Sequence, residues 1–484
     1  MGSPSVLRRF FSCFSGRSSG VARATVSDSD GDGPHSDRAG EDIISGLPDH
    51  VLSSIVSLLP IKEAVRTAAL SSRWRRLWAS NPLVLDNNDL FLSNVTHVGA
   101  VTATVSNAIS AHPGPFCSVT LTCYFSDTEK HILRHWIWEL AAKGVQELVI
   151  NNIPWAGLDV LPCALLGCHS LQRLRISGWR FPDMTGAPVG AALPLLRELV
   201  LSGSIMQEQD LDRVVASSPN LKALVFVLSV GVPAQVRLCS RSLWCVVFWQ
   251  SVAEELAAVA VPLLERIILQ TSSLSRGGGG DGSRMRIKIS SASVLRALGY
   301  LNPNYHELQI GDTIIKVGKK AALDAVVPSV KILALSVQFG ACNKSRMVFR
   351  FLQCFPNIET LHVQSIPDRG PTSKNGNSAF WNEIDSVQCV KESINKFVIH
   401  GFRWENCEIE FLKSILEGGK VLQKICILQD KDISVPVGDI DGTLCFLASL
   451  NNGVALMIMA GQDGIWTYEM ASDLSRNDPF DCQS

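Results

Sequence analysis

A short apolar pattern that returns down most of the chain constrains its fold more than any other feature. It reads VQELVI from Val145, LQRLRI from Leu171, LRELVL from Leu196, LKALVF from Leu221, LWCVVF from Leu243 and LERIIL from Leu264. Successive starts lie 21 to 26 residues apart. Apolar residues at the first, fourth and sixth places point three side chains inward, and recurrence at this length marks a unit too small to bury a core alone. Each unit adds one strand to a growing parallel sheet and is stable only against its neighbours. A curved solenoid is the expected product.

The pattern persists less evenly as HELQI at His306, VKILAL at Val330, IETLHV at Ile358, INKFVI at Ile394 and LQKICI at Leu422. In length and pattern these units resemble leucine-rich repeats. The Asn that usually follows the strand is present only as Asn151 or Asn152, and Ser-Gly or His-Gly stands there in LRISG, LVLSG and FVIHG. The resemblance is therefore to the irregular, divergent plant type. A generic α/β domain competes with this reading, because the repeat lengths drift after Gln270.

Side chains that do not point inward line the opposite, concave face of such a sheet. The fifth place of each unit runs Val149, Arg175, Val200, Val225, Val247 and Ile268, five of them β-branched and apolar. One reading is an exposed strip that captures a protein target. The other is that these residues serve strand propensity alone.

Ahead of the repeats, residues 43–85 predict three short helices. Pro48 and Asp49 suit a first helical turn, since proline lacks only an N–H that would be orphaned there and the carboxylate answers the helix dipole. Val51, Ile55, Leu58 and Leu59 follow at helical spacing until Pro60 interrupts the backbone ladder. Ile61, Val65 and Ala68 form a second apolar face, and Ser71 or Ser72 can cap a third helix with Trp74, Leu77 and Trp78 on one side. So short a stretch cannot bury that much Leu and Trp internally, so part of it must meet another surface.

The order Leu47-Pro48-Asp49, Ile55, Leu58-Leu59-Pro60, Arg66, Leu70-Ser71 and Arg73-Trp74-Arg75-x-Leu-Trp resembles the F-box. That resemblance implies docking on a Skp-type adaptor, and through it a cullin–RING ubiquitin ligase. Leu47, Pro48, Val51, Ile55, Leu58, Pro60, Leu70 and Trp74 are the implied adaptor-binding positions. Trp74 and Trp78 also read as packing residues, with Arg73, Arg75 and Arg76 on the solvated or adaptor-facing side. An ordinary helical hairpin capping a larger domain is the competing reading.

Further on, LQCFPNIETLHV, FWNEIDSVQCV and SINKFVIHGFRWENCEIEFLKSILEGGKVLQKICI resemble the FBD segment that closes many plant F-box/leucine-rich-repeat proteins. These resemblances do not extend over residues 429–484. Gly442, Gly453 and Gly464 punctuate short apolar runs there, and terminal strands covering the solenoid's open end are expected.

The 484 residues are 46% hydrophobic with a net charge of −1, so large buried cores are expected and no global field favours nucleic acid or an anionic membrane. Fourteen Cys are scattered singly, several in apolar runs at Cys245, Cys426 and Cys445, which suits reduced core thiols and shows no disulfide framework. The apolar run Val454 to Ala460 is far shorter than the roughly 20 residues that a bilayer crossing needs. Met1 to Ala24 is rich in Arg and Ser, open to reading as a transit peptide or as a disordered leader, the latter favoured by the Ser/Asp/Gly run from Ser27 to Gly40.

Catalytic patterns are missing. The glycine run Gly277 to Gly280 lacks the helix entry and Lys-Ser/Thr of a phosphate loop, and no nucleophile elbow or dinucleotide fingerprint occurs. Asp368 to Ser378 reads as a second polar loop. His131 and His135 stand at i, i+4 without the following Glu of a metalloprotease, and Cys163, Cys168 and His169 lack a second ligand pair.

The expected organisation is a leader over 1–40, the three-helix F-box over 41–86, and linking helices with a strand over 87–144. Irregular leucine-rich repeats with a parallel sheet follow over 145–350, then the FBD segment with final repeats over 351–428 and a cap over 429–484. The function this implies is a non-catalytic substrate receptor of an SCF-type ligase in cytoplasm or nucleus. It uses no cofactor or metal, and meets a Skp-type adaptor and a protein target but neither nucleic acid nor membrane. The rival is a repeat scaffold that binds the adaptor without promoting ubiquitination of its target.

Overall fold

The computed structural model describes residues 44, 46–59, 61–88, 98–123, 130–153, 159–186, 193–229, 233–270, 284–290, 293–316, 326–339, 342–367, 387–431, 437–451, 453–459 and 466–481. The leader, Pro60, the glycine run and the 368–378 loop lie outside them. Two compact units divide the chain, one ending at Ile55 and the other beginning at Val56.

Helix α1, Asp49–Leu58, begins with its acidic residue in the first turn and runs past the end of the first unit. In the second unit α2 spans Ile61–Thr67 and α3 spans Ser72–Ser80. The Ser71 hydroxyl accepts the Trp74 N–H at 3.3 Å, satisfying one of the donors that every helix start leaves open. Helix α4, Val98–Ala111, and α5, Lys130–Ala142, flank a strand as the apolar spacing predicts, and α6, Glu208–Ser217, α7, Cys342–Gln353, α8, Gln388–Glu392, and α9, Asn406–Gly418, follow among the later strands.

The strands, in chain order, are β1 Leu83–Asp86, β2 Phe116–Cys123, β3 Glu147–Asn152, β4 Arg173–Ser177, β5 Glu198–Ser202, β6 Ala223–Val227, β7 Gln235–Cys239, β8 Cys245–Trp249, β9 Glu255–Ala260 and β10 Arg266–Gln270. They continue with β11 Met285–Ile289, β12 Ala297–Leu301, β13 His306–Ile310, β14 Thr313–Ile315, β15 Ile332–Val337, β16 Thr360–Ser365, β17 Lys396–Phe402, β18 Lys424–Gln429 and β19 Ala455–Met459. Fourteen of them form one parallel sheet in the order β1-β2-β3-β4-β5-β6-β8-β10-β12-β15-β16-β17-β18-β19.

Its register explains why the repeat holds. The fourth-place residues stand in one line, Leu148, Leu174, Leu199, Leu224, Val246 and Ile267, continued by Leu298, Leu333, Leu361, Phe397 and Ile425. Every one of these is fully buried. Burying such side chains is worth about 1.5–3 kcal/mol each, and none is covered without the strand beside it.

Between β6 and β15 every connection from one main-sheet strand to the next carries strand of its own. Strands β7, β9, β11, β13 and β14 form a separate five-stranded sheet in the order β14-β13-β11-β9-β7. HELQI at His306, expected as a repeat strand of the main sheet, is β13 of this second sheet, and ALGYL of β12 takes the main-sheet place. The correction has a physical cause, since alternation fits a strand of either sheet equally well. Gly311, at φ 56°, makes the turn of the β13–β14 hairpin.

Among the described residues past Gln429 are a helix, α10 at Val437–Leu450, one edge strand, β19, and a shorter helix beyond it, where several strands were expected. Cys445 of α10 is exposed, unlike the buried Cys245 and Cys426 with which its apolar run had grouped it. Residues 466–481 then lie on the face of the larger sheet that the fifth-place residues form.

Candidate functional site

The implied docking positions divide between the two units. In the first, Pro48 is exposed, Leu47 and Val51 are half-buried, and Ile55 is 39% exposed. In the second, Leu58 is 83% and Leu70 68% exposed, beside Val65 on α2 at 48%. Trp74 differs. It is 8% exposed, because Trp74 and Leu77 at i, i+3 turn the inner face of α3 into the unit, so its expected contact role gives way to packing. Trp78 is half-buried, edge-on to His112 at 5.0 Å, while Arg75 and Arg76 are exposed.

The fifth-place residues form one row across the larger sheet. Register carries it from Thr120 through Val149, Arg175, Val200, Val225 and Val247 to Ile268. Farther along, the same face presents His362, Val398 and Cys426 in register. Val149 and Arg175 are half-buried, but Val200 is 1% exposed and Val225, Val247 and Ile268 are fully buried. The expected exposed strip is therefore corrected at four of its six positions. Bare β-branched side chains in a row favour any cover, and Tyr468, Ala471 and Phe480 supply it.

The covering segment is held along its length. Thr467 caps the short helix α11, Tyr468–Ser472, through the Met470 N–H. Glu469 pairs with Arg175 at 3.7 Å, and that guanidinium also meets Glu198 at 3.1 Å. Arg266, itself buried, donates to the carbonyl of Asp473 at 2.8 Å and to that of Arg476. Trp466 packs on Trp249 and Tyr300 with ring centroids 4.7 and 5.5 Å apart, and its indole N–H donates to the Pro479 carbonyl at 2.8 Å. Phe480 sits edge-on to Tyr300 at 5.2 Å.

At the far end Asp478 Oδ2 lies 3.0 Å from His362 Nε2, whose other ring nitrogen is 3.2 Å from His400. Lys396 reaches both Asp478, at 3.6 Å, and Asp481, at 3.1 Å. Burial alone would raise the Asp478 carboxyl, but the hydrogen bond and charge of His362, the Phe480 N–H and Lys396 bring it down to about 2. Burial, and then His362, pushes the His400 imidazole down to about 3.

Both shifts make acid unfavourable to the closed arrangement. His400 takes up a proton near its ordinary value when exposed but not when buried, so stability falls as pH drops from about 6.5 toward 3. The Asp478 contribution is present above its ordinary range near 4 and is lost as pH falls toward 2. The urea midpoint at pH 5 should therefore lie below that at pH 7.5; His400 contributes a slope of up to about 1.4 kcal/mol per pH unit that His400→Gln removes, leaving the share of the buried His306, whose imidazole is also lowered, to about 4. A midpoint independent of pH over this range would contradict the assignment.

Glu408, fully buried, fixes the start of α9, Asn406–Gly418, against β16. It accepts the N–H of Arg403 at 2.9 Å and of Glu405 at 3.1 Å, together with the Ser365 hydroxyl, and pairs with Arg403 at 3.5 Å. Burial still raises its carboxyl, ahead of these bonds that lower it.

No group of three or more His, Cys, Asp or Glu among the described residues is arranged to hold a metal ion. His131 and His135 are exposed, the latter 3.4 Å from Glu139. Cys163 is exposed, and burial pushes the Cys168 thiol up to about 12. None of the helices among the described residues is long and apolar enough to cross a membrane. Sequence reasoning missed the covering segment, Arg266, His362, His400 and Lys396. The signal was an apolar row too long to stay bare, with isolated Trp466, Tyr468 and Phe480 near the chain's end.

Family models match three stretches of the chain. The F-box domain family model matches residues 44–86, the model for the LRR repeats of the FBD-associated F-box protein At5g56370 matches 133–363, and the FBD model matches 382–427. The chain is 25% identical over 385 residues to the FBD-associated F-box protein At4g10400 of Arabidopsis thaliana, covering 74% of this chain and 85% of that one. It is 23% identical over 407 residues to the F-box/FBD/LRR-repeat protein At1g13570 of the same plant, covering 81% and 92%. With the F-box/FBD/LRR-repeat protein At5g22660, also from Arabidopsis thaliana, identity is 29% over 209 residues, covering 43% and 45%. The chain spans less than half the length of that relative and of two others that it matches at 31%.

Proposed function

The chain belongs to the plant F-box/FBD/LRR proteins, and from that premise we propose that it is the substrate-recognition subunit of an SCF-type cullin–RING ubiquitin ligase. The observation that carries this reading is the F-box match over 44–86 coinciding with bare apolar side chains at Ile55, Leu58 and Leu70. Large apolar groups left in water on so small a module are suited to a partner, and a Skp-type adaptor is the partner that the F-box implies. The repeats take the target. Mechanism is then proximity: a tethered target meets the charged conjugating enzyme at an effective concentration of about millimolar, and this chain supplies no nucleophile, cofactor or metal. Cytoplasm and nucleus are the compartments where such ligases act.

The test is target turnover. Proteins captured by the full chain should accumulate, and lose their ubiquitin conjugates, when the adaptor is depleted. Captured proteins whose half-lives are unchanged by adaptor depletion would favour the scaffold reading instead.

A further inference from the structure

The face that a target would be expected to occupy is already filled by the chain itself, and the chemistry of that filling describes a ligand. We propose that residues 466–481 are an intramolecular stand-in for the target, and that the larger sheet's row face is a groove for an acidic, aromatic-bearing peptide segment that exchanges with them. This rests on the reading that the repeats capture a protein target.

The two surfaces are complementary in charge. The segment WTYEMASDLSRNDPFD carries four carboxylates against the single Arg476. Facing them, Arg175, Arg266 and Lys396 come from strands β4, β10 and β17, Lys424 stands beside Lys396 in register, and Glu198 of the same sheet shares only Arg175's guanidinium. Three kinds of contact are made. Arg175, Lys396 and His362 hold carboxylates, Arg266 holds main-chain carbonyls, and Trp249 with Tyr300 holds aromatic rings. None of these contacts requires a covalently continuous chain, so a separate peptide with an aromatic and a carboxylate at each end meets the same groups.

The seating is also imperfect, which makes exchange feasible. Among the described residues the Ser202 hydroxyl and the Gln270 carbonyl oxygen on this face, and Nε of Arg476 in the segment, are buried without a hydrogen-bond partner. A buried polar group without a partner is unfavourable, so a segment that satisfies Ser202 and Gln270 and brings no orphan of its own binds better than the resident one. The apolar row needs some occupant, because Val200, Val225, Val247 and Ile268 exposed together would form a continuous apolar patch. Occupancy by either the tail or a target satisfies that requirement, whereas an empty groove does not.

A fluorescent synthetic peptide of residues 466–481 tests the exchange in trans on the full-length chain. The double variant Asp478→Ala, Phe480→Ala loosens the resident segment, and it should bind the peptide at least tenfold more tightly than the wild-type chain does. The same peptide carrying E469Q, D478N and D481N should bind at least tenfold more weakly. A folded double variant that ignores the peptide, or equal binding by both chains, would overturn the proposal, as would a dimer in which copies trade tails. Should the variant not fold, hydrogen exchange on the wild type decides: amides of 468–481 are expected to exchange through a local opening, before those of β5–β10. Exchange of both only by global unfolding would make the segment permanent core. Adaptor binding measured on the same chains keeps the readings apart, since its retention without peptide binding sinks the exchange alone.

Discussion

Val225→Asp should lower the stability of the chain by more than about 3 kcal/mol, while Val149→Asp three strands away should change it by less than about 1 kcal/mol. Both valines occupy the fifth place of a repeat and stand in the same register row, separated by Arg175 and Val200. They differ in cover. Val225 is fully buried in the cluster that includes Tyr468, Ala471 and Phe480, whereas Val149 is half-buried. A carboxylate at 225 must either stay desolvated without a partner or drive the covering segment off, and burying an unpaired charge is among the few changes that exceed the usual range for point mutants. At 149 the carboxylate reaches water and has Arg175 as its neighbour in register. Urea unfolding of the two variants measures the contrast. Equal, small losses for both would mean that the row is open to solvent and that residues 466–481 do not cover it.

The main sheet could be read from the sequence because its determinant is periodic. Apolar residues at the fourth place of each unit stack in register with no intervening choice, so pattern and structure coincide from Leu148 to Ile267. Periodicity does not say which sheet a strand joins. HELQI at His306 has the right alternation for either, and only the preceding ALGYL, whose Leu298 aligns with Ile267, decides against it. The covering segment was not legible because its anchors are single residues with no period. Trp466, Tyr468 and Phe480 acquire meaning only against Trp249 and Tyr300, more than a hundred and sixty positions earlier.

Local chemistry was easier to read than orientation in the helical stretch. A serine ahead of a helix caps it whatever surrounds it, and Ser71 does so. Which side of a nine-residue helix faces inward is set by its neighbours, so Trp74 could be read both as a contact and as a packing residue until its burial was seen. Leu58, apolar in the helical period and an implied adaptor contact, is 83% exposed.

That exposure makes Leu58 the most informative position for the account as a whole. Interface energy concentrates in a few apolar and aromatic anchors, and truncating one often costs about 2 kcal/mol or more. At 1.4 kcal/mol per tenfold, Leu58→Ala should weaken binding to a plant Skp-type adaptor by a factor of roughly thirty. Because so little of its side chain is buried in the chain itself, the fold should be untouched, unlike that of Trp74→Ala, which would remove a buried ring and confound binding with unfolding. Titration calorimetry of the adaptor against the full-length wild-type and Leu58→Ala chains, with circular dichroism of each, is the most direct measurement. The account predicts tight binding by the wild type and a loss of about thirtyfold in a variant with an unchanged spectrum; full affinity in the folded variant, or none in the wild type, would contradict it.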